Sequence, residues 1–268
     1  MTNSDGDSKS RGLPTRLVSF GASVAPKSWF HPVTAHIHRR AEPEMKEIVD
    51  RCDPTGTVLD IGGWYGPWTY WLSKRVQHVH VFEPNPTVAE VLRSGVRSNV
   101  TVHQNAVSDE SGTTQLWLQT VGTGSEGTAS IVAGSNGAKV IEVDAVRIDD
   151  FEFSDIRFIK IDVEGHENAV LIGASELIAS NHPVVFVELE ERMAPIAKTF
   201  SLMADHGYEA RAFFDGSWQT VTPSELAVMQ EDFHSTNSMQ SYLQSAVFPS
   251  GYVNDVAFVH PQSTWAPW

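Results

Sequence analysis

The chain has 268 residues, 41% hydrophobic and 19% charged, enough for one substantial core, and this composition fits a single soluble α/β domain. Nineteen basic against thirty-three acidic residues give a formal charge of −14, which repels a nucleic-acid backbone and an anionic membrane surface and points to a small or neutral partner. The single cysteine, Cys52, excludes an intrachain disulfide and any multi-cysteine metal site, as suits a reducing cytoplasm.

In chain order, residues 1–12 are small and polar, and are expected to be disordered. They lack the apolar segment of a secretory signal, and no later run approaches the roughly 18 apolar residues of a membrane span, so a cytoplasmic protein without membrane insertion is expected. Residues 13–268 are then one domain that begins with a helical region, 13–55. Within it, Glu42 to Cys52 follow the i, i+3, i+4, i+7 pattern, with Pro43 in the first turn and Met45, Ile48, Val49 and Cys52 on the apolar face.

"TVLDI" (57–61) and "VHVFE" (79–83) are short apolar runs closed by Gly62 and Pro84. Between them Trp64, Trp68, Trp71 and Leu72 form one helical stripe, which predicts a β-α-β unit with parallel strands. A helix from Pro86 and a strand "VTVHQ" continue the alternation, and "TTQLWLQT" reads as an added strand. Residues 121–138 hold five glycines and are expected to form a mobile loop. "KVIEVDAVRIDDF" re-enters the fold before "FIKID" (158–162), a helix, "PVVFVE" (183–188), a further helix stopped at Gly207, a hairpin turning at Asp215-Gly216, and a last strand, "VNDVAFV". This order predicts a doubly wound, mostly parallel sheet with a C-terminal antiparallel hairpin and a ligand beyond the carboxyl ends of the strands.

The candidate site residues sit at those ends. In "LDIGGWYG", Asp60, Gly62, Gly63 and Gly66 make a tight strand-to-helix turn, and the carboxylate suits a ligand with a cationic amino or sulfonium group better than a pyrophosphate. A bare glycine-rich turn is the structural alternative. Glu83, closing the second strand, is placed to accept both hydroxyls of a ribose, a role that suits S-adenosylmethionine and NAD alike. Asn105 and Ala106, past the third strand, could offer an amide and a backbone N–H to an adenine edge, although Asn is equally common in turns for local reasons.

The segments "VLDIGGWYGPW", "VHVFEPNP", "HQNAVSDESG", "VRIDDF", "FIKIDVEGHENAVLIGA" and "PVVFVELE" are similar in order and spacing to the FkbM-type family of S-adenosylmethionine-dependent O-methyltransferases. The resemblance covers about residues 55–190. It implies a Rossmann-like class I methyltransferase fold, with cofactor contacts carried onto Asp60, Gly62, Gly66, Glu83 and Asn105. The turn "GGWYGPW" departs from the family's usual one, and the 121–138 loop has no firm counterpart, which leaves the acceptor open.

The remaining question is the abrupt end of "FIKIDVEGHE" in carboxylates. A right-handed crossover makes Asp162 and Glu188 neighbours on adjacent strands about 4.8 Å apart. Two carboxylates that close share a proton or a cation, and all-oxygen ligands suit Mg²⁺. Resemblance to other metal-dependent O-methyltransferases implies that Asp162 and Glu188 bind it; alternatively Glu188 orients a loop while Asp162 bonds backbone. Methyl transfer to a hydroxyl requires a base, and His166 is the leading candidate with Asp162 second, a helix-capping His being the plainer alternative. Glu167 complements the helix N-terminus and Glu164 is undecided between capping and orienting. His31, His36, His38 and His234 are expected on the surface or in loops.

The resulting expectation is an S-adenosylmethionine-dependent O-methyltransferase acting on a small molecule, a sugar or oligosaccharide, in actinobacterial polysaccharide, glycolipid or natural-product assembly. A mannoside 1-O-methyltransferase of methylmannose polysaccharide synthesis is the specific candidate. An NAD-dependent oxidoreductase and a non-catalytic S-adenosylmethionine-binding module are the rival classes.

Overall fold

A computed structural model describes residues 27–53, 55–118, 129–130, 139–236 and 252–264. The expected disordered segment 1–12 lies outside the described residues, as does the expected loop 121–138 apart from residues 129–130.

The chain enters through helices α1 (Lys27–Ala41) and α2 (Pro43–Arg51) and then alternates: β1 (Thr57–Ile61), α3 (Pro67–Leu72), β2 (His78–Phe82), α4 (Pro86–Gly95) and β3 (Val100–His103). Next come β4 (Ala106–Val107), β5 (Gly112–Leu118), β6 (Ala129–Ser130) and β7 (Lys139–Val146). A 3₁₀ turn (Ile148–Asp150) leads to β8 (Ile156–Ile161), α5 (Glu167–Gly173), α6 (Ser175–Asn181) and β9 (Val184–Glu188). The chain closes with α7 (Ile196–Asp205), the hairpin of β10 (Glu209–Phe214) and β11 (Ser217–Thr220), α8 (Pro223–Thr236) and β12 (Asp255–Val259).

The main sheet runs β11-β10-β12-β9-β8-β1-β2-β3. β9, β8, β1, β2 and β3 are parallel to one another, whereas β12 is antiparallel to β9 and to β10. Strand order therefore reverses at β1, where the Rossmann-like class I arrangement has its ligand crevice. The segment "KVIEVDAVRIDDF" re-enters the fold in a second sheet: β7 pairs with β5 and β4 in a four-stranded sheet of order β4-β7-β5-β6.

Period-2 alternation sorts the central strands between two cores. Leu59, Ile61, Ile159, Ile161, Val185 and Val187 face α5, α6 and α7 through Val170, Leu171, Ile178, Ile196 and Met203. Val58, Phe158, Val184 and Phe186 face the opposite way, onto Met45, Ile48, Val49 and Cys52 of α2 and its end and onto Trp68 and Leu72 of α3. Cys52 is buried, as expected of a core thiol, and burial pushes its pKa up to about 12. The same alternation puts Asp60, Lys160 and Glu188 on the α2/α3 face.

The predicted tryptophan stripe holds for Trp68, Trp71 and Leu72, which pack on one core, and fails for Trp64. Trp64 lies in the turn before α3 with φ 47°, Trp68 enters the core against Phe186 with ring centroids 5.0 Å apart, and Trp71 donates its indole N–H to Ala35 O of α1 at 2.9 Å. The helix begins only at Pro67, so the four positions do not share one face. Trp68→Ala removes a side chain only 3% exposed, and should lower the unfolding free energy by about 3–5 kcal/mol in a urea titration.

Candidate active site

The site is built where β1 and β8 leave the sheet. Gly62 has φ +78°, and a Cβ on it would lie 1.7 Å from the carbonyl oxygen of Asp162, so only glycine lets the two strand ends pass. The N–H groups of Gly62 and Gly63 both donate to Phe82 O at 3.0 Å, and Asp162 N–H donates to Ile61 O at 3.0 Å. The glycines of the turn therefore serve packing first: a Cβ on Gly63 would meet Val81, and one on Gly66 would meet Leu92 and the His31 ring.

Asp60 is fully buried. Its Oδ2 accepts from the Thr69 hydroxyl at 2.5 Å, and its Oδ1 has no hydrogen-bond partner among the described residues. Burial pushes its pKa up, against the pull of Lys160 and Thr69. Glu83 is held on both sides, accepting from Trp64 N–H at 2.9 Å through Oε2 and from Asn85 N–H at 2.8 Å through Oε1. Each oxygen keeps a lone pair for a ligand hydroxyl. Burial raises the Glu83 pKa to about 7 despite those two bonds. Asn85 also caps α4, its Oδ1 accepting from Thr87 N–H at 3.1 Å. Asn105 follows β3, and Ala106 is buried at the start of β4. The candidate cofactor residues thus come together at the adjacent carboxyl ends of β1, β2 and β3. The two carboxyl groups there, Asp60 and Glu83, are acceptors, which fits a ligand rich in N–H, O–H or positive charge.

The catalytic candidates behave differently. Asp162 and Glu188 are neighbours as expected, since Ile161 registers with Val187 across parallel β8 and β9. Each is already bonded: Lys160 Nζ donates to Asp162 Oδ2 at 2.8 Å, and Asn254 Nδ2 donates to Glu188 Oε1 at 2.6 Å. Among the described residues no three His, Cys, Asp or Glu side chains are placed to hold a metal ion. The expected magnesium site at Asp162 and Glu188 is therefore not supported, because an ammonium and an amide already serve the two carboxyl groups. Burial, and then the charge of Asp162, push the Glu188 pKa well up. Asp255, which registers with Glu188, rises for reasons of burial and of Glu44 nearby.

His166 is the N-cap residue of α5 and finds its partner outside that row. Its Nε2 lies 2.9 Å from Ser108 Oγ, and Ser108 Oγ donates to Asp109 Oδ1 at 3.0 Å. One hydroxyl has one proton. With that proton on the carboxylate, His166 donates through Nε2–H and keeps its lone pair on Nδ1. Burial lowers its pKa, so the ring is neutral and basic near pH 7. The turn leading to it is strained at Glu164, with φ 53°, while Gly165 takes φ 96° without a Cβ to oppose it. Gly165 N–H donates to Glu167 Oε1 at 2.7 Å, which closes the start of α5. The three catalytic candidates thus have three separate hydrogen-bond partners, Lys160, Asn254 and Ser108.

A model of the FkbM methyltransferase domain matches residues 43–210, more than half of the chain. The chain belongs to the FkbM methyltransferase family. Among solved structures, the family member from Methylobacillus flagellatus KT is 16% identical and aligns over 78% of this chain and 58% of its own, with a TM-score of 0.43, so the chain spans little more than half of that protein. A precorrin-6y C5,15-methyltransferase from Geobacter metallireducens GS-15 is 12% identical over 86% of this chain and 88% of its own, with a TM-score of 0.42. TYW2 from M. jannaschii, solved with AdoMet, is 13% identical over 82% and 76%, with a TM-score of 0.38. A comparison with curated proteins gives no match.

Three residues escape a reading of the sequence. Lys160 signals itself as a cation near the end of an apolar run, on the same strand face as Phe158, a position that demands a buried partner. Asn85-Pro86 is a capping signature. Ser108 carries no local signal. His31, expected on the surface, is 2% exposed, because Gly66 and Gly95 leave room for its ring, and burial lowers its pKa to about 4. The side chain of His234 lies outside the described residues.

Glu44, Glu83 and Glu164 all have pKa values raised to about 7 by burial. Folded groups with raised pKa values hold protons that the unfolded chain has lost, so their contribution is complete below the ordinary 4.5 and disappears as pH rises through 7. Comparison with Glu83→Gln isolates one such group: the wild-type unfolding midpoint should fall relative to the variant's between about pH 4.5 and 7 in scanning calorimetry.

Proposed function

We propose that the protein is an S-adenosylmethionine-dependent O-methyltransferase whose acceptor is a hydroxyl of a sugar or oligosaccharide. Membership of the FkbM methyltransferase family supports the reaction class. The observation that carries the cofactor assignment is the pairing of Asp60, with its unpartnered buried oxygen, and the twice-braced Glu83 on either side of the glycine turn. Both present lone pairs to a ligand with hydroxyl and cationic nitrogen groups, and a pyrophosphate would meet only repulsion there.

When bound, S-adenosylmethionine supplies a methyl group activated on a sulfonium. The chain must then bind and align the acceptor and remove its proton. His166 is suited to taking that proton, being neutral, half-buried, and free at Nδ1 when Ser108 holds Nε2. Asp162 is less suited, because Lys160 already occupies one of its oxygens. Asp60, Gly62, Gly63, Gly66, Glu83, Asn105 and Ala106 form the cofactor side, and a mannoside 1-O-methyltransferase remains the finer candidate for the acceptor. No described helix is long and apolar enough to cross a membrane.

Incubation with a panel of sugars and isotopically labelled cofactor should yield a product heavier by one labelled methyl group in mass spectrometry. His166→Ala should slow that transfer by about 10²- to 10⁴-fold while leaving S-adenosylhomocysteine binding unchanged in calorimetry. Binding of NADH in place of S-adenosylhomocysteine would reject the assignment.

A further inference from the structure

The row of acids on the α2/α3 side of the sheet contains its own counterion. Lys160 is 5% exposed, and its Nζ lies 2.8 Å from Asp162 Oδ2. Registry places Lys160 beside Asp60 on β1 and beside Phe186 on β9, one strand-face step from Glu188. The side chain of Asp162, by contrast, is 32% exposed, so the ammonium grips the carboxylate from beneath and leaves its other oxygen facing outward. A buried lysine so placed neutralises the acids on both sides of the β1/β8 crevice at once, and a second cation there would meet its repulsion at close range.

We propose that Lys160 is the resident cation of this site: its ammonium takes the position a divalent ion would hold between Asp162 and Glu188, and it positions Asp162 as a fixed acceptor for the ligand. Lys160 acts through Asp162 and does not itself touch the reacting atoms. The site binds its ligand without metal. The proposal rests on the methyltransferase reading only for the identity of the ligand used to test it.

The test combines calorimetry with S-adenosylhomocysteine in EDTA and electron paramagnetic resonance of added Mn²⁺. The wild-type protein should bind S-adenosylhomocysteine equally in EDTA and in millimolar Mg²⁺, and should leave the free Mn²⁺ signal undiminished. Lys160→Met should weaken binding by about tenfold or more, and the same substitution in an Asp162→Asn background should cost at least about threefold less, because the carboxylate it positions is already neutral and only its effect on Asp60 and Glu188 remains. A lysine with a merely structural role would give equal losses in both backgrounds, and that result would overturn the proposal. So would depletion of the Mn²⁺ signal by wild-type protein that Asp162→Asn abolishes, a measurement that stands even if Lys160→Met fails to fold. If the wild-type protein binds no S-adenosylhomocysteine, the cofactor assignment fails, and the Mn²⁺ signal alone then decides for or against Lys160.

Discussion

The whole carboxyl end of the sheet depends on how closely β1 and β8 approach as they leave it. Gly62 passes the carbonyl of Asp162 with no space for a single methyl group, and the ladder is extended there by Asp162 N–H on Ile61 O. That contact fixes the level of Asp162 relative to Asp60, and hence the position of Lys160 between them. It also turns the chain after β1 sideways, so that Trp64 N–H meets the Glu83 carboxylate. The backbone strain at Trp64 and Glu164 falls in the two turns that this crossing forces apart.

The electrostatics follow from that geometry. Burial raises the pKa values of Asp60, Glu83, Glu164, Glu167, Glu188 and Asp255, all at or near one end of one sheet. Clustering acids costs stability unless cations or shared protons relieve the repulsion. Lys160 relieves it on one side, and Glu44 hydrogen-bonded to Asp255 relieves it on the other. Burial thus keeps protons on several of these acids to higher pH than usual, so they act as hydrogen-bonding groups more than as fixed negative charge.

The sequence carried the strand-helix alternation and the neighbouring ends of β8 and β9, because each follows from short-range periodicity or from crossover handedness. Asp60 and Glu83 were legible as strand-end acids next to turn residues. The partners of the site residues were less so. Lys160 pairs with Asp162 two residues away on the same strand face, a relation that period 2 contains but that the carboxylates, being more numerous, obscured. The buried ring of His31 depends on the missing side chains of Gly66 and Gly95, glycines whose spacing suggests a ligand turn rather than space for an imidazole.

His166 and the second sheet bear on each other directly. Ser108 precedes His166 by 58 residues and stands at the end of β4, and a Cβ on Gly173 would lie 2.0 Å from Ser108 O. α5 is therefore packed against the β4 end, with the imidazole beside the hydroxyl that this insertion supplies. The segment between β3 and β8, which reads in sequence as a loosening of the pattern, thus supplies the partner of His166 Nε2. Two sheets meet at the site: the main one ends in Asp60, Lys160 and Glu83, and the inserted one brings the Ser108 hydroxyl to His166.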